Sequence, residues 1–279
     1  MGVVAALGSA GPAVGAAPSS ARPNPSKTNT GKTARQDAEQ SIPLNLLAPA
    51  DRAKVESVLS NFSVFRRMPV KVIDCDPNLY LFLVRHPDVV INIWETLKIS
   101  QLQLHQTGDN QFQMIEPVGT KSSFKFVYQN HDTHVIYGEG TYQGPLLARM
   151  VRGQAVLVLK TGYVRETNGR YYIASRLDCF LNIQPAGAEL LTKAVSPLLG
   201  KTVDNNFVQT AAFLGSLSRT AELSYHKVAH LATRLSGVQP EVRDQFVKVA
   251  SQIAARAAAA KAGSDHARLA VRRENKTER

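Results

Sequence analysis

QAVLVLKTGYVRETNGRYYIASRLDCFLNI, residues 154–183, decides the fold. Ala155–Leu159 is a β-rich run that leads through Tyr163 to Asn168-Gly169, and Tyr171–Ile183 runs back. Asn-Gly between two such runs is a hairpin signal, because both residues of a two-residue turn must take φ > 0. A two-residue turn there sets Tyr172 opposite Arg165, Ala174 opposite Tyr163 and Cys179 opposite Val158. One face then collects Val156, Val158, Leu177, Cys179 and Leu181 as the expected core, with Lys160 as its one charged member. A bulge would invert that assignment.

Working outward, residues 186–223 carry the longest helical pattern attached to the sheet. It is interrupted at Pro197 and Gly200, then resumes with Phe207, Ala211, Leu214, Leu217 and Ala221 on one stripe. Upstream of the hairpin lies a meander with clean alternation. Leu102, Leu104, Phe112 and Met114 share one face and glutamines take the other; Phe124, Phe126 and Tyr128 then share a face. Thr133–Tyr142 is a further strand, in which Gly138 and Gly140 suggest a bulge or sharp bend. Before the meander, Met68–Cys75 reads as a strand. Asp76-Pro77 opens a short helix with a carboxylate cap and Pro at the first helical position. Pro87-Asp88 opens a second. Pro49-Ala50-Asp51 starts an earlier helix with Val55, Val58 and Phe62 on one face.

The formal net charge is +11, and it is unevenly spread. Residues 234–279 carry ten basic and five acidic groups, whereas residues 51–233 are only slightly basic. A basic tail can favour nucleic acid or an anionic membrane surface, or serve plain solvation. The body shows no Arg/Lys stripe interleaved with exposed aromatics, so a nucleic-acid partner is not expected. Cys75 and Cys179 are too few for a disulfide framework and lack metal spacing, although one bridge could form if their strands were neighbours. Val3–Ala17 is like the apolar part of a secretory signal without its basic start. It reads either as a truncated signal, implying export, or as an Ala/Gly-rich tail.

The expected organisation is a low-complexity leader at 1–41, an N-terminal helical extension at 42–66, a main domain at 67–223, further helices at 224–262 and a basic disordered tail at 263–279. The main domain is α+β: a seven-stranded curved antiparallel sheet in the order β-α-α-β6-α, gripping a long C-terminal helix. That order, together with Asp74-Cys-Asp-Pro-Asn-Leu-Tyr-Leu-Phe-Leu83, resembles the helix-grip superfamily of START and polyketide-cyclase domains. Asp76-Pro77, His86-Pro-Asp88, Tyr137-Gly-Glu-Gly140 and the Gly-Pro-Leu146 link also resemble a group of uncharacterised planctomycete proteins.

The helix-grip resemblance implies a cavity between sheet and long helix that holds a small apolar ligand, such as a lipid, sterol or polyketide. Its lining would come from Phe112, Phe124, Phe126 and Tyr128 of the meander, from Tyr137, Lys160 and Leu177, and from Phe207, Leu214 and Leu217 of the helix. Glu139, set between two glycines, is expected to pair with Lys160 inside that cavity, because a buried charge needs a partner. No nucleophile has a base at motif spacing and no phosphate loop follows a strand, so no catalytic residue and no cofactor is assigned. His131-Asp-Thr-His134 reads as a polar hairpin tip and His226/His230 as a surface pair, so no metal site is assigned either. The leading expectation is non-catalytic binding of an apolar ligand. The alternatives are a cyclase- or hydroxylase-component-type enzyme, and an envelope-associated interaction module. In the last, residues 240–262 would meet a partner helix or an anionic membrane.

Overall fold

A computed structural model describes residues 27–117, 119–143, 150–167, 169–184 and 188–277, with side chains described in all of these except 188–202 and 264–277. The leader stretch 3–17 and the Gly-Pro-Leu146 link lie outside the described residues. The architecture is α+β: one antiparallel sheet of eight strands with helices on both faces, including a long helix toward the C-terminus. The strands are β1 (Val64–Arg67), β2 (Lys71–Asp74), β3 (Gln103–Gly108), β4 (Gln111–Glu116), β5 (Thr120–Gln129), β6 (Thr133–Tyr142), β7 (Val151–Arg165) and β8 (Tyr171–Gln184). Their order is β1-β8-β7-β6-β5-β4-β3, with β2 also on β8. Val64–Arg67 pairs with Leu181–Asp178, and Lys71–Asp74 pairs with Ser175–Tyr172. β1 and β2 therefore fill a single edge position in succession, which reconciles eight strands with the seven expected. The break falls at Met68-Pro69-Val70, where Pro69 has no N–H to give the ladder.

The hairpin register differs from the expected one by one residue. Arg165 pairs with Tyr171, Val158 with Asp178 and Leu157 with Cys179. The Glu166 N–H donates to Arg170 O at 2.9 Å, the Gly169 N–H donates to Glu166 O at 2.9 Å, and Gly169 has φ +81°. This is a turn closed by a left-handed glycine that adds one bulged residue, instead of the two-residue Asn168-Gly169 turn. Because side chains alternate, one residue of slip moves every β7 side chain to the other face relative to β8. Leu157, Leu159 and Tyr163 now share a face with Leu177 and Cys179, while Val156, Val158 and Lys160 share the opposite face with Asp178 and Phe180.

Both faces are packed. Leu104, Phe112, Met114, Phe126, Leu159 and Leu177 form the larger core with the helices α3 (Pro77–Arg85), α4 (Pro87–Thr96), α5 (Ala188–Leu223), α6 (Tyr225–Ala232) and α7 (Pro240–Thr277). On the other side Val135, Val156, Val158 and Phe180 pack against α1 (Lys32–Gln40), a 3-10 turn at Leu44–Leu46, and α2 (Pro49–Asn61). The unbroken run Val156-Leu-Val-Leu159 follows from this double burial, since each of the four is 7% exposed or less.

Three helices depart from expectation. Residues 32–40, part of the stretch read as leader, form α1, which buries Ala34 and Ala38 on the sheet. α7 continues as helix to Thr277, through the segment whose polarity suggested fraying. α5 is one helix across Pro197 and Gly200. The α3 start is as expected: the Asp76 carboxylate accepts from the Asn78 and Leu79 N–H groups. Arg66 clamps α5 to β1 through Asp204, with its Nε 2.9 Å from Asp204 Oδ1.

Candidate functional site

On the α5 face, most of the expected pocket residues are present but leave almost no room. Leu177, Phe207 and Leu214 meet Ile73, Tyr80 and Ala211 around a void of about 30 Å³, the volume of one water in the liquid. Phe112, Phe124 and Phe126 fill space with each other, at ring-centroid distances of 5.2, 6.0 and 6.4 Å. Leu217 is 6% exposed in the same core. The Tyr80 hydroxyl is satisfied by Ser175 Oγ at 3.0 Å and Thr161 Oγ1 at 3.3 Å.

Four expected lining residues lie on the opposite face. Lys160 is carried there by the bulged hairpin and donates to Thr133 Oγ1 at 2.6 Å. Tyr128 is carried there by a bulge in β5, where Phe126 pairs with Ile136 and Tyr128 already pairs with Val135. The expected irregularity at Gly138 and Gly140 thus sits in the neighbouring strand. Gly140 serves a close approach instead: a Cβ there would lie 2.7 Å from both Lys121 O and Ser122 Cβ. Tyr137 packs with Val156 and Val158. Glu139 is exposed and accepts from the Tyr137 hydroxyl at 3.1 Å, so the expected Lys160–Glu139 pair does not form.

Glu139 nonetheless borders a groove of about 510 Å³ across β4 to β8. Strand register arranges its lining in rows. Gln113, Ser123, Glu139 and Gln154 are cross-strand partners in one row, and Ile115, Lys121, Thr141, Arg152 and Gln184 in another two residues along. Both rows share the face of Tyr137, next to the part of the sheet that α2 covers. The Gly140 and Gly153 backbone lies between them. Gln154 Nε2 donates to the Tyr137 oxygen at 3.0 Å, so Tyr137 links Gln154 to Glu139. Burial and the adjacent Glu139 carboxylate push the Tyr137 phenol up to about 12, which keeps it a neutral donor. Lys121 and Arg152 are exposed and have no ion-pair partner among the described residues, whereas nearby Lys125 is held by Asp51 at 2.7 Å. Sequence reading passed over this site because polar residues on alternating strands read as a solvated face. The signal available was that four such strands place them in register.

No family model matches the chain, and no curated protein matches it. Among solved structures, a conserved protein from Geobacillus kaustophilus aligns at 11% identity with a TM-score of 0.30, covering 50% of this chain and 93% of its own. A hypothetical protein from Helicobacter pylori aligns at 13% identity with a TM-score of 0.31, covering 53% and 84%. Likenesses at these scores carry no argument about this chain.

The remaining constellations are structural in their surroundings. Asn130 Oδ1 accepts from the Asp132 and Thr133 N–H groups and so caps the β5–β6 tip. His134 lies inside the core against Phe126, and burial and Arg85 push its imidazole down to about 4. His226 and His230 are exposed on α6. No group of three or more metal-ligating side chains occurs among the described residues. Cys75 and Cys179 are free thiols, each buried and pushed up to about 12 by that burial. The α7 stripe Val242, Phe246, Ala250 and Ile253 is turned inward on the larger core, with Phe246 stacked on Phe82 at 5.9 Å. No described helix is long and apolar enough to cross a membrane.

Proposed function

We propose that this chain is a non-catalytic binding domain whose ligand is small and polar and lies in the groove across β4 to β8. The observation that carries this reading is the contrast in room. The groove offers about 510 Å³ beside convergent amide, hydroxyl and carboxylate groups, against about 30 Å³ between sheet and α5. Volumes of roughly 300–1,000 Å³ with a few placed polar groups are typical of small-ligand sites. A non-catalytic role is supported by the thiols, since a buried thiol raised to about 12 is a poor nucleophile at neutral pH.

The test is an amide chemical-shift titration with a panel of polyols, free amino acids and small inorganic anions. Saturable shifts at Ser123, Glu139, Thr141 and Gln154 support the groove. A panel that produces no saturable shift there overturns it.

A second reading keeps the helix-grip ligand, a lipid- or polyketide-like molecule between sheet and α5. It is favoured by the convergence of Leu177, Phe207 and Leu214 on a void of that face, and it requires α5 to move away from the sheet. Native mass spectrometry of the purified protein separates the two: a co-purifying lipid with shifts at Leu177 and Leu214 selects this second reading.

A further inference from the structure

We infer that the groove selects ligands bearing an anionic group, which it holds between Lys121 and Arg152 over Thr141. This inference rests on the groove being the binding site. The two cations are consecutive members of one row with only Thr141 between them: Lys121 pairs with Thr141 and Thr141 with Arg152. Strands are about 4.8 Å apart, so their Cα atoms are separated by about 10 Å, and two long side chains can close on one phosphate or carboxylate between them. Arg152 can offer two parallel N–H groups to such an anion and Lys121 a compact charge. The Thr141 hydroxyl supplies a donor from below.

Neither cation is engaged elsewhere among the described residues, in contrast to three other cations on the sheet. Lys125 on the same strand as Lys121 is held by Asp51, Lys160 by Thr133, and Arg176 by Asp178 and Asp37. The carboxylate that lines the groove, Glu139, accepts from Tyr137 and lies in the adjoining row with Gln113, Ser123 and Gln154. The groove is therefore polarised, with free cations along one row and a carboxylate flanked by neutral amides and a hydroxyl along the other. The complementary molecule has its anion at the Thr141 end and hydroxyl or amino donors toward Glu139.

Amide shifts of the full chain titrated with inorganic phosphate, and separately with the neutral polyol glycerol, test this. Phosphate is expected to give saturable shifts at Lys121, Thr141 and Arg152. The double variant Lys121→Gln/Arg152→Gln should weaken it at least tenfold while leaving the remaining amide spectrum in place. Glu139→Gln should leave phosphate affinity unchanged or raise it two- to threefold. Phosphate shifts that do not saturate, or that survive the double variant, overturn the inference. Glycerol shifts at Ser123 and Gln154 together with no phosphate response overturn the anion selectivity but keep the groove as a binding site. Silence with both probes removes both.

Discussion

Asp178 and Arg67 face each other as cross-strand partners of β8 and β1, and the guanidinium grips the carboxylate with two bonds of 2.6 and 2.9 Å. Asp178 is fully buried, and Arg67 reaches past it to Asp37 of α1 at 2.6 Å. Arg176 completes the set, 3.4 Å from Asp178 and 3.2 Å from Asp37. This cluster ties α1 to the sheet. Removing one member of a buried pair leaves the other charged and desolvated, at a cost of roughly 3–5 kcal/mol. Asp178→Ala is therefore expected to lower unfolding stability by an amount in that range in urea titrations. Asp37→Ala, at the exposed end, should cost far less and loosen only α1.

The same cluster makes the attachment of α1 sensitive to acid. Burial alone would raise the Asp37 carboxyl, but the Arg67 and Arg176 guanidiniums outweigh it and hold the group below its ordinary 3.8. A depressed carboxyl contributes stability that is complete above the unfolded value and is lost as pH falls through the folded one. Asp37→Asn should thus be less stable than the parent at pH 6, and the difference should shrink as pH falls below 3.8 toward the folded value. A difference that does not shrink on acidification would show that the contribution is not electrostatic.

His134 gives a slope of the same sign in a higher window. Its folded value of about 4 lies below the ordinary 6.5, so the unfolded chain binds the extra proton first. Stability contributed by neutral His134 is full above pH 6.5 and falls as pH drops toward 4, by up to about 1.4 kcal/mol per pH unit. His134→Phe, which keeps a ring against Phe126, should flatten that part of the pH–stability curve. An unchanged slope would assign it to other groups.

Gly140 is fixed by space. A methyl group there meets Lys121 O and Ser122 Cβ at 2.7 Å, and both are held in the β5–β6 ladder. Gly140→Ala should cost about 1–3 kcal/mol by overpacking and shift the amides around Lys121 and Thr141. Gly153→Ala, whose added Cβ finds its nearest neighbour at 3.6 Å, serves as the tolerant control.

Thiol chemistry checks the state of the cysteines directly. Cys75 and Cys179 are buried and raised to about 12, so the folded protein should be inert to iodoacetamide at pH 8 and the unfolded protein should take up two labels. Uptake of fewer than two labels under denaturing, non-reducing conditions would mean a bridge.

Much of the fold was legible because local chemistry agreed with it. Asp76-Pro77 announces the start of α3, and the alternation from Leu102 to Phe126 announces the meander. The stripe from Phe207 to Ala221 announces the helix face. What escaped was long-range. Asn168-Gly169 signals a turn but not its length, and one extra turn residue decides which face Lys160 joins. The bulge after Phe126 has no sequence mark, so plain alternation puts Tyr128 on the face of Phe126. The low hydrophobicity of residues 32–40 concealed α1, whose anchor is Asp37 and two alanines in place of a conventional apolar stripe. The groove was invisible residue by residue, because it exists only once four strands bring Gln113, Ser123, Glu139 and Gln154 into a row.

Burial of β7 and β8 from both sides has a kinetic consequence. The amides of Val156–Leu159 and Leu177–Phe180 lie beneath two separate hydrophobic clusters. Loss of either helical layer alone leaves them covered by the other. Hydrogen exchange at these positions then requires the whole domain to open, whereas β3 and the α1 layer can exchange through partial openings. The slowest-exchanging amides should trace the two strands of that hairpin, which makes them the last part of the molecule to admit solvent.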